Sequence, residues 1–123
     1  MSIIATPKAP AAIGPYSQGI VAGSLIFVSG QLPLHPVSGA MSADPASQAR
    51  QSMENVKAVL EGAGSGLDKV VKVTIFLRDL EHFAVVNEVY AGFFPGSFPA
   101  RSCVQAARLP KDALLEIEAI AAI

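Results

Sequence analysis

Two hydrophobic periods alternate along this chain, and the switches between them lay out its elements. LIFVSG (25–30) is almost wholly apolar and closes on Gly30. The stretch from Gln18 to Ser29 reads as two short strands around a turn at Ala22–Gly23–Ser24. QLPLHPVSGAMSADP, rich in Pro, Gly and Ser, is a loop. A helix follows: Asp44 caps it, Pro45 suits its first turn, and Gly62 or Gly64 ends it. Ala49, Met53, Val56, Leu60 and Ala63 recur at helical spacing, with Arg50, Glu54, Lys57 and Glu61 on the wet side. KVVKVTIFLRD (69–79), dense in β-branched residues, is a central strand. From Asp79 a second helix is expected through about Phe94, its stripe formed by Phe83, Val86, Tyr90 and Phe93/Phe94. Two final strands, near 101–107 and 114–122, are joined by a loop containing Leu109–Pro110–Lys111–Asp112. The order β-β-α-β-α-β-β predicts an α+β fold in which two helices pack on one face of a mixed sheet. The opposite face then needs cover, for which partner subunits are the expected source.

Composition supports that need. A chain of 123 residues reads as one domain over 1–123, with 51% hydrophobic and only 15% charged residues, against roughly 25% charged in an ordinary soluble domain. So few charges imply apolar interfaces in a homo-oligomer. Nine basic and ten acidic residues leave a net charge of −1 with no basic run, so nothing predicts nucleic-acid binding. One cysteine forms no internal disulfide and fits a reducing compartment. The N-terminal segment lacks the basic-then-apolar order of a signal peptide. Residues 9–43 carry no Asp, Glu, Lys or Arg, but four prolines and five glycines break the stretch. No membrane span is expected, and the location expected is the cytoplasm.

Candidate chemistry centres on two strands. Period-two alternation puts Arg101, Cys103 and Gln105 on one side of FPARSCVQAAR (98–108). Arg101 is either an edge arginine whose head reaches water, or a planar fork for a carboxylate. Glu116 and Glu118 share a face in LLEIEAIAAI (114–123); each is either paired with a basic group or available as a base that activates water. An antiparallel pairing of these two strands would make the arginine and a glutamate near neighbours, in a register the sequence leaves open. Cys103 reads as a small core residue, because His35 and His82 are poorly placed to serve as its base. Scattered His and Cys residues, and glycines outside a phosphate-loop pattern, indicate neither metal nor nucleotide. Tyr16, after Gly14–Pro15, and Asn87, beside an apolar stripe, each read as structural or as ligand-facing.

Taken together, PAAIGPYSQG, FVSGQLP, ARQSMENVKAVLEGAG, VVKVTIFLRDLEHFAVVNEVY and PARSCV…ARLPKDALLEIEAIA resemble the reactive-intermediate deaminase family (RidA/YjgF/UK114) over nearly the whole chain. The resemblance implies a chorismate-mutase-like homotrimer with sites in the clefts between subunits. It implies a 2-iminobutanoate/2-iminopropanoate deaminase, a hydrolase that converts 2-aminoacrylate and 2-imino acids into 2-oxo acids and ammonia with no metal or organic cofactor. Residue by residue, it makes Arg101 the carboxylate anchor and Glu116 the water-activating acid. Tyr16 and Asn87 fall on pocket positions, Ser29 and Gly30 where backbone meets ligand, and Cys103 on a lining position that is not a required nucleophile. The compact loop AGFFPGSF (91–98) and Gln105 depart from the family pattern. The alternatives are a trimer that binds or senses 2-oxo acids without turnover, a ribonuclease or translation inhibitor, and a chaperone-like role.

Overall fold

A computed structural model describing residues 1–123 arranges the chain as β1 (Ser2–Ile4), β2 (Gly19–Ala22), β3 (Leu25–Gln31), α1 (Pro45–Gly62), β4 (Val70–Leu77), α2 (Phe83–Ala91), β5 (Ala100–Gln105) and β6 (Leu115–Ala122). The strands form one sheet in the order β1-β2-β3-β6-β4-β5, antiparallel except for the β4–β5 pair. The expected mixed sheet and two helices are present. One strand is added: β1, three residues long, is too short to show an alternation and exists through its pairing with β2.

Local chemistry accounts for the helix ends. The Asp44 carboxylate accepts from Ser47 N–H at 3.2 Å, and Pro45 occupies the first turn of α1. Gly64, at φ +78°, lets Ser65 N–H reach back to the Leu60 carbonyl at 3.0 Å and close the helix. The second helix is shorter than expected. Asp79 caps only a 3-10 turn, Leu80–His82, accepting from Glu81 N–H at 2.9 Å; α2 proper starts at Phe83 and stops before Gly92.

Period-two alternation sorts the sheet into two faces. Val73, Ile75 and Leu77 of β4 and Leu115, Ile117, Ala119 and Ala121 of β6 are buried toward the helices. There they meet Met53, Val56, Val59 and Leu60 of α1 and Val86 and Tyr90 of α2 in one core. No helix covers the opposite face, on which Phe27 is 43% and Val104 46% exposed; loops screen only the part around Glu116. No helix is long and apolar enough to cross a membrane.

The pairing of the last two strands that would have made Arg101 and Glu116 neighbours does not form. β4 lies between β5 and β6, and β5 runs parallel to β4, with Val73 opposite Arg101 and Phe76 opposite Glu116. Val73 and Phe76 are three residues apart, so their partners project to opposite faces. Arg101 therefore faces the helices and Glu116 the open side of the same sheet. The parallel β4–α2–β5 crossover is what inserts this separation, since it returns β5 to the outer edge of β4.

Candidate active site

On the open side, a cavity of about 610 Å³ is lined by Tyr16, Ser29, Gly30, Leu32, Lys111 and Glu116, among others. A bulge in β3 shapes its floor. Val28 pairs with Ala119 and Gln31 with Ile117, so β3 carries one residue more than β6 across the interval. Gly30 sits in that bulge and the Glu116 carboxyl lies directly against it: a Cβ on Gly30 would stand 2.8 Å from Glu116 Cδ. Only glycine leaves this space, and the requirement is close approach rather than an unusual φ. The Glu116 carboxyl is half-buried and titrates above the usual 4.5, because burial disfavours its charge and the Glu118 carboxylate adds repulsion. No cation lies within salt-bridge distance of it.

The walls of this cavity are loops, and three buried amides hold them. Gln18 Nε2 donates to the carbonyls of Thr6, Ala9 and Pro10 while its Oε1 accepts from Thr6 N–H, fixing the segment that leads to Tyr16. Asn55 Nδ2 donates to the carbonyls of Leu32 and Leu34. Gln48 Oε1 accepts from Leu114 N–H at 2.8 Å, securing the loop that carries Lys111. Ser29 spends its hydroxyl on the Ser17 carbonyl, at 2.6 Å, and so ties the N-terminal loop to β3. Sequence reading singled out none of the three amides. The available signal was Gln48 and Asn55 lying beside the apolar stripe of α1, where an unpartnered amide would be costly.

The helix side holds the second group. Arg101 Nη1 donates to Asn87 Oδ1 at 2.5 Å. Its guanidinium carbon lies 5.5 Å from the centre of the Phe83 ring and 5.1 Å from that of Tyr90. One bond and two aromatic faces thus orient the fork while leaving donors free, and no acid forms a salt bridge with it. The Tyr90 hydroxyl is buried without a partner, and burial raises its pKa, against the pull of Arg101. Cys103 is partly buried on the same strand face. Burial lifts its thiol pKa, with Arg101 a smaller opposing influence, so it stands as a neutral thiol. The sequence flagged Arg101, Asn87 and Cys103, but not Phe83 or Tyr90 as ring partners of the arginine. No three His, Cys, Asp or Glu side chains converge as a metal site.

One chain therefore displays two half-sites: Tyr16, Ser29, Gly30 and Glu116 on one face of the sheet, and Arg101, Asn87 and Cys103 on the other. Each lacks what the other has. The first offers an acid with a raised pKa and the second a guanidinium with no acid partner.

Residues 6–123 match the family model described as endoribonuclease L-PSP. The chain is 56% identical over 121 residues to the 2-iminobutanoate/2-iminopropanoate deaminase of Salmonella typhimurium, covering 96% of this chain and 94% of that one. The crystal structure of Escherichia coli TdcF with bound serine superposes with a TM-score of 0.97 at 52% identity, covering 100% of this chain and 99% of that one. The Escherichia coli YjgF gene product gives a TM-score of 0.97 at 54% identity, covering 99% and 98%.

Proposed function

Because the chain belongs to the endoribonuclease L-PSP (RidA/YjgF) family, we propose that it hydrolyses reactive 2-imino acids, including the imine tautomer of 2-aminoacrylate, to 2-oxo acids and ammonia. The chain, one domain over 1–123, acts as a cytoplasmic homotrimer whose open sheet faces are buried against one another. Each site lies in a cleft between subunits, with Glu116 from one and Arg101 from the next. The carrying observation is the separation of Glu116 and Arg101 to opposite faces of one sheet, which no movement within a chain reverses. The exposed apolar residues of the open face supply the contact surface.

The chemistry follows from the two half-sites. The Arg101 fork binds the substrate carboxylate and sets the imine carbon in place. Glu116, as carboxylate, takes a proton from water while the oxygen adds to the imine carbon, giving a carbinolamine. The same acid returns that proton to the imine nitrogen, completing the carbinolamine, then takes the hydroxyl proton and delivers it to the amino nitrogen as the C–N bond breaks, so that ammonia leaves and the carbonyl forms. A carboxyl with a raised pKa suits both strokes, since a stronger base also holds its proton long enough to return it. Serine, bound in TdcF, has the carboxylate and size of such a substrate. The family description names a ribonuclease, but the relatives at 56% identity are named for imine deamination, and the reading follows them.

An amino-acid oxidase generating 2-iminobutanoate, with ammonia or 2-oxobutyrate release followed, tests the reading. The wild type accelerates release, while Arg101→Ala and Glu116→Gln do not. A wild type that binds 2-oxobutyrate without accelerating release is a binding protein, and the reading fails.

A further inference from the structure

Lys111 and Asp112 follow one another at φ +58° and φ +54°, the only non-glycine residues of the chain in the left-handed region. A side chain holds such a conformation only where the surroundings force it. The forcing groups are visible. Pro110 stiffens the entry to the turn, and Ala113, fully buried, donates its N–H to the Pro110 carbonyl at 3.2 Å. Leu114 is pinned on both sides: its N–H by Gln48 Oε1 at 2.8 Å, its carbonyl by Arg78 N–H at 2.9 Å. Arg78 Nη1 also reaches the Asp112 carbonyl at 3.4 Å. The outcome of this strain is that Lys111 stands in the wall of the Glu116 cavity, where it is the only cation and Glu116 the only acid.

A 2-imino acid is an anion, and on that wall the single acid would repel it. Lys111 forms no salt bridge with Glu116, so its ammonium is not consumed by the acid. We propose that Lys111 is a second cationic residue of the substrate site, an ammonium that draws the incoming carboxylate past Glu116 toward the neighbouring subunit's arginine; this rests on the deaminase reading above. Its four-carbon stem is long and flexible, which suits capture and hand-over rather than fixed bidentate binding. Charge attraction of this kind acts on association and is screened by salt. Lys111 is thereby a determinant of KM rather than of the chemical step.

The test compares wild type with Lys111→Asn, Lys111→Arg and Lys111→Glu in the imine-release assay at low and high ionic strength. Asparagine is the neutral replacement because it tolerates the left-handed conformation. At low ionic strength Lys111→Asn loses about threefold to tenfold in kcat/KM, through KM, and Lys111→Glu loses more. Lys111→Arg retains wild-type values, and the deficits shrink toward wild type at high salt while the pH profile of kcat stays fixed. Equal kcat/KM for Lys111→Asn and wild type at low salt overturns the inference. So does a loss that is independent of salt or shared by Lys111→Arg, which marks a structural role. Should the wild type itself fail to accelerate release, the deaminase reading has failed. Calorimetric binding of 2-oxobutyrate by the same proteins then decides the inference by the same salt criterion.

Discussion

The two half-sites are built on different principles. Around Arg101, side chains hold a side chain: two aromatic rings and an amide fix one guanidinium on a short edge strand. Around Glu116, backbone gives way to a side chain: a bulge and a missing Cβ admit the carboxyl, and buried amides hold loops around it. In the proposed mechanism the arginine site is a clamp for a fixed charge. The glutamate site is partly desolvated, which raises the pKa of its acid. Anchoring and proton transfer need these opposite environments, and placing them on opposite faces of one sheet lets each be tuned alone.

The largest effects come from removing the chemistry of either side. Glu116→Gln lowers kcat by about 10²–10⁴-fold yet still binds 2-oxobutyrate in a calorimetric titration, whereas Arg101→Ala loses that binding and roughly 10²-fold or more in kcat/KM. Equal loss of ligand binding in both proteins would erase the division between anchor and base. Next comes Gly30→Ala. The added methyl displaces the carboxyl and lowers kcat about tenfold, an effect of misplacement, with 2-oxobutyrate affinity near wild type.

Smaller changes probe the clamp. Tyr90→Leu removes one ring face and raises KM about threefold to tenfold, in line with a partly buried cation–π contact of about 1 kcal/mol. Tyr90→Phe keeps the ring, discards a buried hydroxyl with no partner, and leaves KM unchanged with an equal or higher melting temperature. The smallest effect is a displacement in pH. Activity needs the Glu116 carboxylate, so the acidic limb of kcat against pH lies above 4.5, and Glu118→Gln moves it to lower pH by removing a repelling charge. The same raised pKa makes Glu116 favour folding below its unfolded value; that contribution is lost as pH rises through the folded one, so Glu116→Gln gives no stability penalty at neutral pH.

Much of this was legible in the sequence, for identifiable reasons. Asp44, Pro45 and Gly64 act within one helical turn, so the ends of α1 could be read locally. The faces of β6 followed from alternation, which placed Glu116 and Glu118 opposite Leu115 and Ile117. The relation between Arg101 and Glu116 was not legible. Which strands are neighbours depends on the crossover through α2, a property of the whole sheet, and β4 stands between the two strands. The ring faces on Arg101 escaped notice because Phe83 and Tyr90 already served as members of an apolar stripe. The fit of Gly30 to Glu116 joins residues far apart in sequence across a bulge that no local signal announces.

Under the proposed mechanism no single chain owns a complete site. Arg101→Ala and Glu116→Gln proteins, each inactive alone, are mixed in equal amounts, unfolded and refolded together, and assayed for imine hydrolysis. With Glu116 and Arg101 contributed by different subunits, random assembly rebuilds about one quarter of the sites with both residues native, and activity returns to about that fraction of wild type. A refolded mixture as inactive as its two components, in the presence of demonstrated mixed oligomers, would contradict the claim.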